Sequence, residues 1–171
     1  MMDVETAIRT RRTHKVYGAE PVDRATLDEL FALATWAPNH HLTNPWRFRV
    51  VGPNALERLK EAVGPEGAKK LDRAPTLVVV SSAKHEDPVQ DEEDRDASAV
   101  AAYLVLLGAH AKGLASYWRT PGVLRTPEGQ AAVGIDGAQE HVLGLLHLGP
   151  LRQEQPAPQR TPAAEVTTYL D

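Results

Sequence analysis

From Ala97 to Ala111 the chain is apolar almost without interruption, with Ser98 and His110 its only polar side chains. A helix that is apolar nearly all round has no face to offer water, so it must be buried on most of its circumference. Acids crowd the stretch from Glu86 to Asp96 just before it, where they complement the positive end of a helix dipole. Gly113 follows Lys112 and suits the left-handed residue past a helix end. The longest apolar run, Ala99 to Leu107, is far too short to span a bilayer. A domain of this size must therefore be built around the helix, and covering it is easier if a second copy of the chain shares the task.

The flanking segments supply the layers. Val4, Ala7 and Ile8 are spaced for one face of a short helix running to about Arg12. Asp23 is a natural N-cap for a helix carrying Leu27, Leu30, Phe31 and Ala34, which Pro38 stops. Trp46 to Val51 alternates apolar and basic residues, the period-two signature of a half-buried strand. Asn54 is placed to cap a helix with Leu56, Leu59 and Val63 that ends at Gly64-Pro65. Thr76 to Val80 and Val142 to Leu148 read as strands buried on both faces, Ala115 to Trp118 as a short strand, and Pro127 to Val133 as a short helix. Residues 150–164 carry four prolines and read as extended. The strand sequence Val166-Thr167-Thr168-Tyr169-Leu170 closes the chain, placed to add an edge to a sheet, including a partner's.

Composition narrows the function. The chain has 171 residues, 42% hydrophobic and 25% charged, which fits one globular domain over residues 1–171. A net charge of −4 argues against wholesale nucleic-acid binding, which comes with a basic surface. No cysteine is present, so disulfides, thiolate nucleophiles and cysteine metal sites are excluded. This usage, with an acidic N-terminal segment unlike a secretory signal, leads us to expect a cytoplasmic protein.

Two short segments carry the chemistry. Arg9, Arg11, Arg12 and Lys15, with the Thr13 hydroxyl, lie within one or two helical turns and could hold a phosphate, since arginine binds it as a bidentate fork. The same cluster could equally be the positive side chains that a helix C-terminus favours. The second segment, Trp36-Ala37-Pro38-Asn39-His40-His41-Leu42-Thr43-Asn44-Pro45-Trp46, places amides, imidazoles and indoles where a planar ring could be held. His40-His41 could instead be a metal pair, although adjacent residues diverge and no helical H-x-x-x-H accompanies them. No G-x-G-x-x-G follows a strand, and no P-loop or G-x-S-x-G elbow exists.

With these residues in view, the sequence resembles the nitroreductase family of FMN-dependent oxidoreductases, and its small members in particular. Arg11-Arg12-Thr13 is similar to that family's R-R-S motif, and Ala37-Pro38-Asn39-His40 with Asn44-Pro45-Trp46 to its A-P-[SD]-x … Q-P-W segment. Gly113 to Thr120 resembles the G-x-G-x-x-W-[RK]-[ST] stretch, and Leu146 to Gly149 the late [IL]-x-L-G strand end. Order and spacing hold from about residue 5 to residue 170.

The resemblance implies an α+β fold, a central mostly antiparallel sheet flanked by helices, with the C-terminal strand placed for exchange. It implies a homodimer with FMN at the interface, and electrons passing from NAD(P)H through the flavin to a nitroaromatic, quinone or similar acceptor. Arg11, Arg12 and Thr13 would hold the phosphate and ribityl end. Trp118, Arg119 and Thr120 would lie near the ring or phosphate. Pro38, Asn39 and His40 would come from the opposite subunit. No side chain is assigned a catalytic role, because the flavin carries the chemistry. Asn44 is one methylene shorter than the family's glutamine, and Trp36 stands where small members can carry arginine. The alternatives are an FMN-binding protein without turnover and a metal-dependent hydrolase using His40 and His41.

Overall fold

The computed structural model describes residues 2–170. Met1 and Asp171, the bounds of the expected domain, lie outside it. Helices α1 (Val4–Thr10) and α2 (Arg24–Ala34) precede strand β1 (Trp46–Val50). Helices α3 (Pro53–Val63) and α4 (Pro65–Leu71), strand β2 (Thr76–Ala83) and the long helix α5 (Pro88–Ala111) follow. Strand β3 (Leu114–Arg119), helix α6 (Pro127–Ala132) and strand β4 (Glu140–Pro150) complete the layers. The sheet order is β1-β2-β4-β3 and every pairing is antiparallel. This is the α+β architecture expected from the sequence.

One core lies between the sheet and the α2/α5 layer and includes Leu30, Val78, Val80, Ala101, Val105, Leu146 and Leu148. A second, on the opposite face, includes Leu59, Leu71, Val79, Leu124 and Leu145 from the α3, α4 and α6 side. β2 therefore reads as continuous apolar sequence because both its faces are covered.

Local chemistry explains where the elements begin. Asp23 caps α2 by accepting from Thr26 N at 2.9 Å, as expected. α3 starts earlier than Asn54 would place it. Pro53 takes its first turn, where the missing N–H costs nothing, and Gly52 precedes it. Gly64-Pro65 both ends α3 and starts α4, a helix missing from the sequence reading; the left-handed Gly64 (φ 75°) turns the chain between them. α1 stops at Thr10, short of Arg12.

Helix α5 is longer than its apolar part. Asp87 caps it by accepting from Val89 N, so the acidic run belongs to the helix itself. Nor is it covered all round in the single chain: Val100 is exposed, and Tyr103 and Leu107 are only partly buried.

The C-terminus departs from expectation. Val166–Leu170 forms no strand among the described residues, because no neighbouring edge pairs with it, and Tyr169 and Leu170 are about nine-tenths exposed.

On β4, His147 is sealed between Tyr17 and Tyr117, and burial pushes its pKa down to about 4, helped by Arg119 and Arg73. The unfolded chain takes up a proton near pH 6.5, whereas the folded chain resists until about pH 4. Stability held above pH 6.5 is therefore lost as pH falls through that window, by about 3 kcal/mol at the low end. Urea titrations at pH 7 and pH 4.5 should show most of this loss, and His147→Phe should remove it. A smaller slope in the same direction should remain from His14 and His110, both also pushed down by burial.

Candidate functional site

The basic cluster divides by role. Arg9 is tied back to Glu5, Nε and Nη2 donating to Oε1 at 2.9 and 2.7 Å. Arg12 Nη1 donates to the carbonyls of Arg9 and Arg11 at 2.7 and 2.9 Å, closing the α1 C-terminus. For these two groups the helix-end reading of the cluster holds. Arg11 is different. Its guanidinium lies 5.9 Å from the Tyr103 ring centroid, a cation–π contact, and makes no ion pair among the described residues. Arg12 Nε is buried and has no partner.

The proline-framed arm completes this region. Gln155, Pro156, Pro158 and Arg160 close over Arg11, Arg12 and Thr13. An adjoining hollow of about 490 Å³ runs from there to Ile8 and Tyr103. Arg160 thus joins the cluster from 148 residues downstream of Arg12, and the sequence reading did not include it. The available signal was a cation set among three prolines, in a segment whose extended form costs little entropy. An arginine with no ion pair, a buried unsatisfied Nε and the exposed Thr13 hydroxyl converge here. That donor set fits a phosphate group.

Behind the groove, Thr10 Oγ1 lies 2.8 Å from His110 Nε2, and His14 is buried with both ring nitrogens unpartnered. Burial depresses His14, with the charges of His110 and Arg11 acting in the same direction against Glu154. Neutral imidazoles here add no further repulsion to the arginines.

Pro38, Asn39 and His40 lie at the other end of α5. His40 Nδ1 is 2.7 Å from Glu93 Oε2, while Arg11 contacts Tyr103 ten residues further along the helix, about 15 Å away. Residues 39–44 form a tight loop with three non-glycine residues in the left-handed region: His41 (φ 58°), Leu42 (φ 51°) and Asn44 (φ 49°). The buried Asp94 carboxylate holds this loop, accepting from Asn39 Nδ2 at 3.2 Å, Thr43 Oγ1 at 2.5 Å and Gln90 Nε2 at 2.8 Å. Asn39 Oδ1 accepts from Asn44 N at 2.7 Å. The short Asn44 amide donates to Leu42 O, so in this chain it serves the loop itself. His40 and His41 stack, ring centroids 3.8 Å apart, instead of converging on a point. No group of three or more metal-ligating side chains occurs among the described residues. Trp36 is almost fully exposed beside Leu33.

The third segment stays apart from both. Trp118 packs against the α5-side core, and its Nε1 donates to Leu143 O at 3.1 Å across the bulge in β4. A Cβ on Gly144 would come within 2.4 Å of that indole nitrogen, so the ring is locked in place. Arg119 points to the opposite face of the sheet and donates to Lys70 O at 3.3 Å. Thr120 borders a small recess with Pro121 and Leu124.

The comparisons bear on the fold. The nitroreductase family model matches residues 8–70. YfhC of Bacillus subtilis (strain 168), provisionally named an NAD(P)H nitroreductase, is 26% identical over 95% of this chain and 92% of its own length. The crystal structure of a nitroreductase-like family protein from Bacillus cereus superposes with a TM-score of 0.89 at 23% identity, covering 99% of this chain and 97% of that one. A provisionally assigned nitroreductase from Desulfovibrio desulfuricans, solved in complex with FMN, gives 0.82 at 22% identity over 100% and 98% of the two chains. The chain has the nitroreductase fold. The resemblance read from its sequence is borne out by the family match over residues 8–70 and by the fold along the rest.

The loop anchor is open to direct test. Asp94→Ala removes the acceptor shared by Asn39 Nδ2, Thr43 Oγ1 and Gln90 Nε2 and should cost about 1–3 kcal/mol. Urea unfolding measures that loss, and faster amide exchange at Asn44 should accompany it.

Proposed function

We propose that residues 1–171 form one FMN-binding oxidoreductase domain. It would pass a hydride from NAD(P)H through the flavin to a nitroaromatic, quinone or similar small acceptor, in two alternating half-reactions. The observation that carries this reading is the cationic groove in which Arg11, Arg12 Nε, Thr13 and Arg160 meet. The FMN-bound structural relative and the NAD(P)H nitroreductase name of the Bacillus subtilis relative support the cofactor and the reductant. Bound there, FMN would supply the redox chemistry, and the protein supplies binding, orientation and electrostatics. Arg119 and Trp118 fall outside the phosphate clamp in this reading, since one faces the far side of the sheet and the other is locked in the core.

Support for a homodimer comes from α5. The groove lies at one part of the helix and the Asn39–Asn44 loop at another; Val100 between them is exposed, and Tyr103 and Leu107 are only partly buried. A two-fold axis across that face would bring the loop of one chain to the groove of the other, because isologous contacts pair opposite ends of the same element. The exposed Val166–Leu170 segment would then find a sheet edge in the partner. A net charge of −4 gives no footing to nucleic acid. No helix among the described residues is long and apolar enough to cross a membrane. We place the protein in the cytoplasm on its lack of cysteine.

The purified protein should be yellow and release FMN on denaturation, and it should oxidise NAD(P)H in the presence of a quinone. Colourless protein that takes up no FMN would overturn the cofactor, and flavoprotein without turnover would leave a flavin store. Arg11→Ala and Arg160→Ala should each weaken FMN binding by roughly ten- to a hundredfold, or about 1.5–3 kcal/mol. Arg9→Ala should change it little, because Glu5 already engages that guanidinium. Flavin fluorescence titration measures all three.

Removing residues 164–171 keeps Arg160 and the groove but takes away the exposed tail. Light scattering should then show a weaker dimer. An undiminished dimer would place the tail outside the interface.

A further inference from the structure

Hydride transfer to an acceptor leaves a proton to be delivered, and the cationic groove has no group suited to deliver it. We propose that His40, oriented by Glu93, is the proton donor to the reduced acceptor; this rests on the FMN oxidoreductase reading above.

Four observations carry the proposal. His40 Nδ1 is 2.7 Å from Glu93 Oε2, and Nε2 has no partner among the described residues. A carboxylate on Nδ1 fixes the tautomer by holding the Nδ1 proton, leaving Nε2 as the nitrogen that can exchange one. The His41 ring, stacked on one face, restricts how the His40 ring can turn. The loop that presents the pair is strained. Left-handed non-glycine residues carry backbone strain, most at Leu42, and persist only where the surroundings over-determine them. Here the surroundings are Asp94, a carboxylate 3% exposed that accepts from both ends of the loop. An ordinary surface ion pair, worth little by itself, comes with no such scaffold.

With p-benzoquinone as acceptor, the step balances. The hydride that NAD(P)H supplies through the flavin forms an O–H bond at one carbonyl oxygen. The π electrons shift through the ring to the second oxygen. That oxygen takes the Nε2 proton as the N–H bond breaks, giving the hydroquinone. His40 is left neutral, holding its Nδ1–H toward Glu93, and recovers a proton from solvent. Glu93 and Asp94 are positioning residues in this scheme.

The test compares p-benzoquinone with ferricyanide, which takes one electron and no proton. In the FMN-loaded protein, His40→Gln should lower the quinone-to-ferricyanide turnover ratio by about 10²-fold, the lower range of general-acid contributions. Glu93→Ala retains the imidazole and should lower the ratio by a smaller factor. Nitrogen NMR of the neutral His40 ring should show Nδ1 protonated in the parent protein and a shift toward the Nε2–H tautomer in Glu93→Ala. Should His40→Gln fail to hold flavin, the Glu93→Ala ratio and tautomer decide alone. An unchanged ratio, or an unchanged tautomer in Glu93→Ala, overturns the proposal while leaving the flavin reading intact. A parent protein that binds no FMN overturns both.

Discussion

Everything in this molecule hangs on how α5 is buried. The helix lies between α2 and the sheet, and small residues let both approach. Ala97, Ala101, Ala102 and Ala109 are buried, and a Cβ on Gly108 would sit 3.0 Å from Leu30 Cδ2 and 3.1 Å from Leu33 Cδ1. Close backbone approach maximises dispersion contact and expels water along most of the helix. Full burial of a central strand against one face of a long helix then leaves the sheet with little freedom in register. The same helix bears Tyr103 beneath Arg11, and Glu93 and Asp94 beneath the Asn39–Asn44 loop. A packing element is therefore also the rail on which both halves of the candidate site are mounted.

That double duty explains why polar groups occur inside an otherwise apolar layer. Gln90 and Asp94 are buried on α5, one turn apart, and Gln90 Nε2 donates to Asp94 Oδ1. A buried carboxylate is costly unless its lone pairs are met. Here an α5 amide, a loop amide and a loop hydroxyl converge on Oδ1, so stabilising the charge and shaping the loop are coupled. An apolar residue at position 94 would remove the desolvation cost, but it would take an acceptor from three donors and leave the left-handed loop with only its internal hydrogen bonds.

Much of the architecture was legible because it follows from periodicity and capping. Leu27, Leu30 and Ala34 announced the buried face of α2, and Thr76 to Val80 a strand covered on both sides. What escaped is what depends on distant partners. Arg160 carries no local pattern, and only the path of the arm brings it to Arg12. Asp94 sat among acids that read as a helix start, and its burial follows from the docking of the Asn39–Asn44 loop. Val166–Leu170 has strand-forming side chains, yet a strand is defined by the edge it pairs with, and this segment pairs with neither edge strand, β1 or β3. Trp118 lay in a segment singled out for a flavin, while its indole N–H is spent on Leu143 O.

The arginine cluster shows how two readings of one motif can both hold. A helix C-terminus stabilises nearby cations through its free carbonyls, and Arg12 Nη1 meets two such carbonyls directly. That interaction fixes the Arg12 plane and turns Nε inward, where nothing in the chain meets it. The helix end thus organises the guanidinium but uses only part of its fork. Arg11, over the Tyr103 ring, and Arg160, delivered by the arm, add positive charge with no carboxylate of their own among the described residues. Neighbouring imidazoles pushed toward neutrality spare the groove further repulsion. Like charges gathered this way destabilise the free protein and stabilise whatever dianion enters. The electrostatic cost of the empty groove and the affinity of the filled one are therefore the same interaction seen from its two ends.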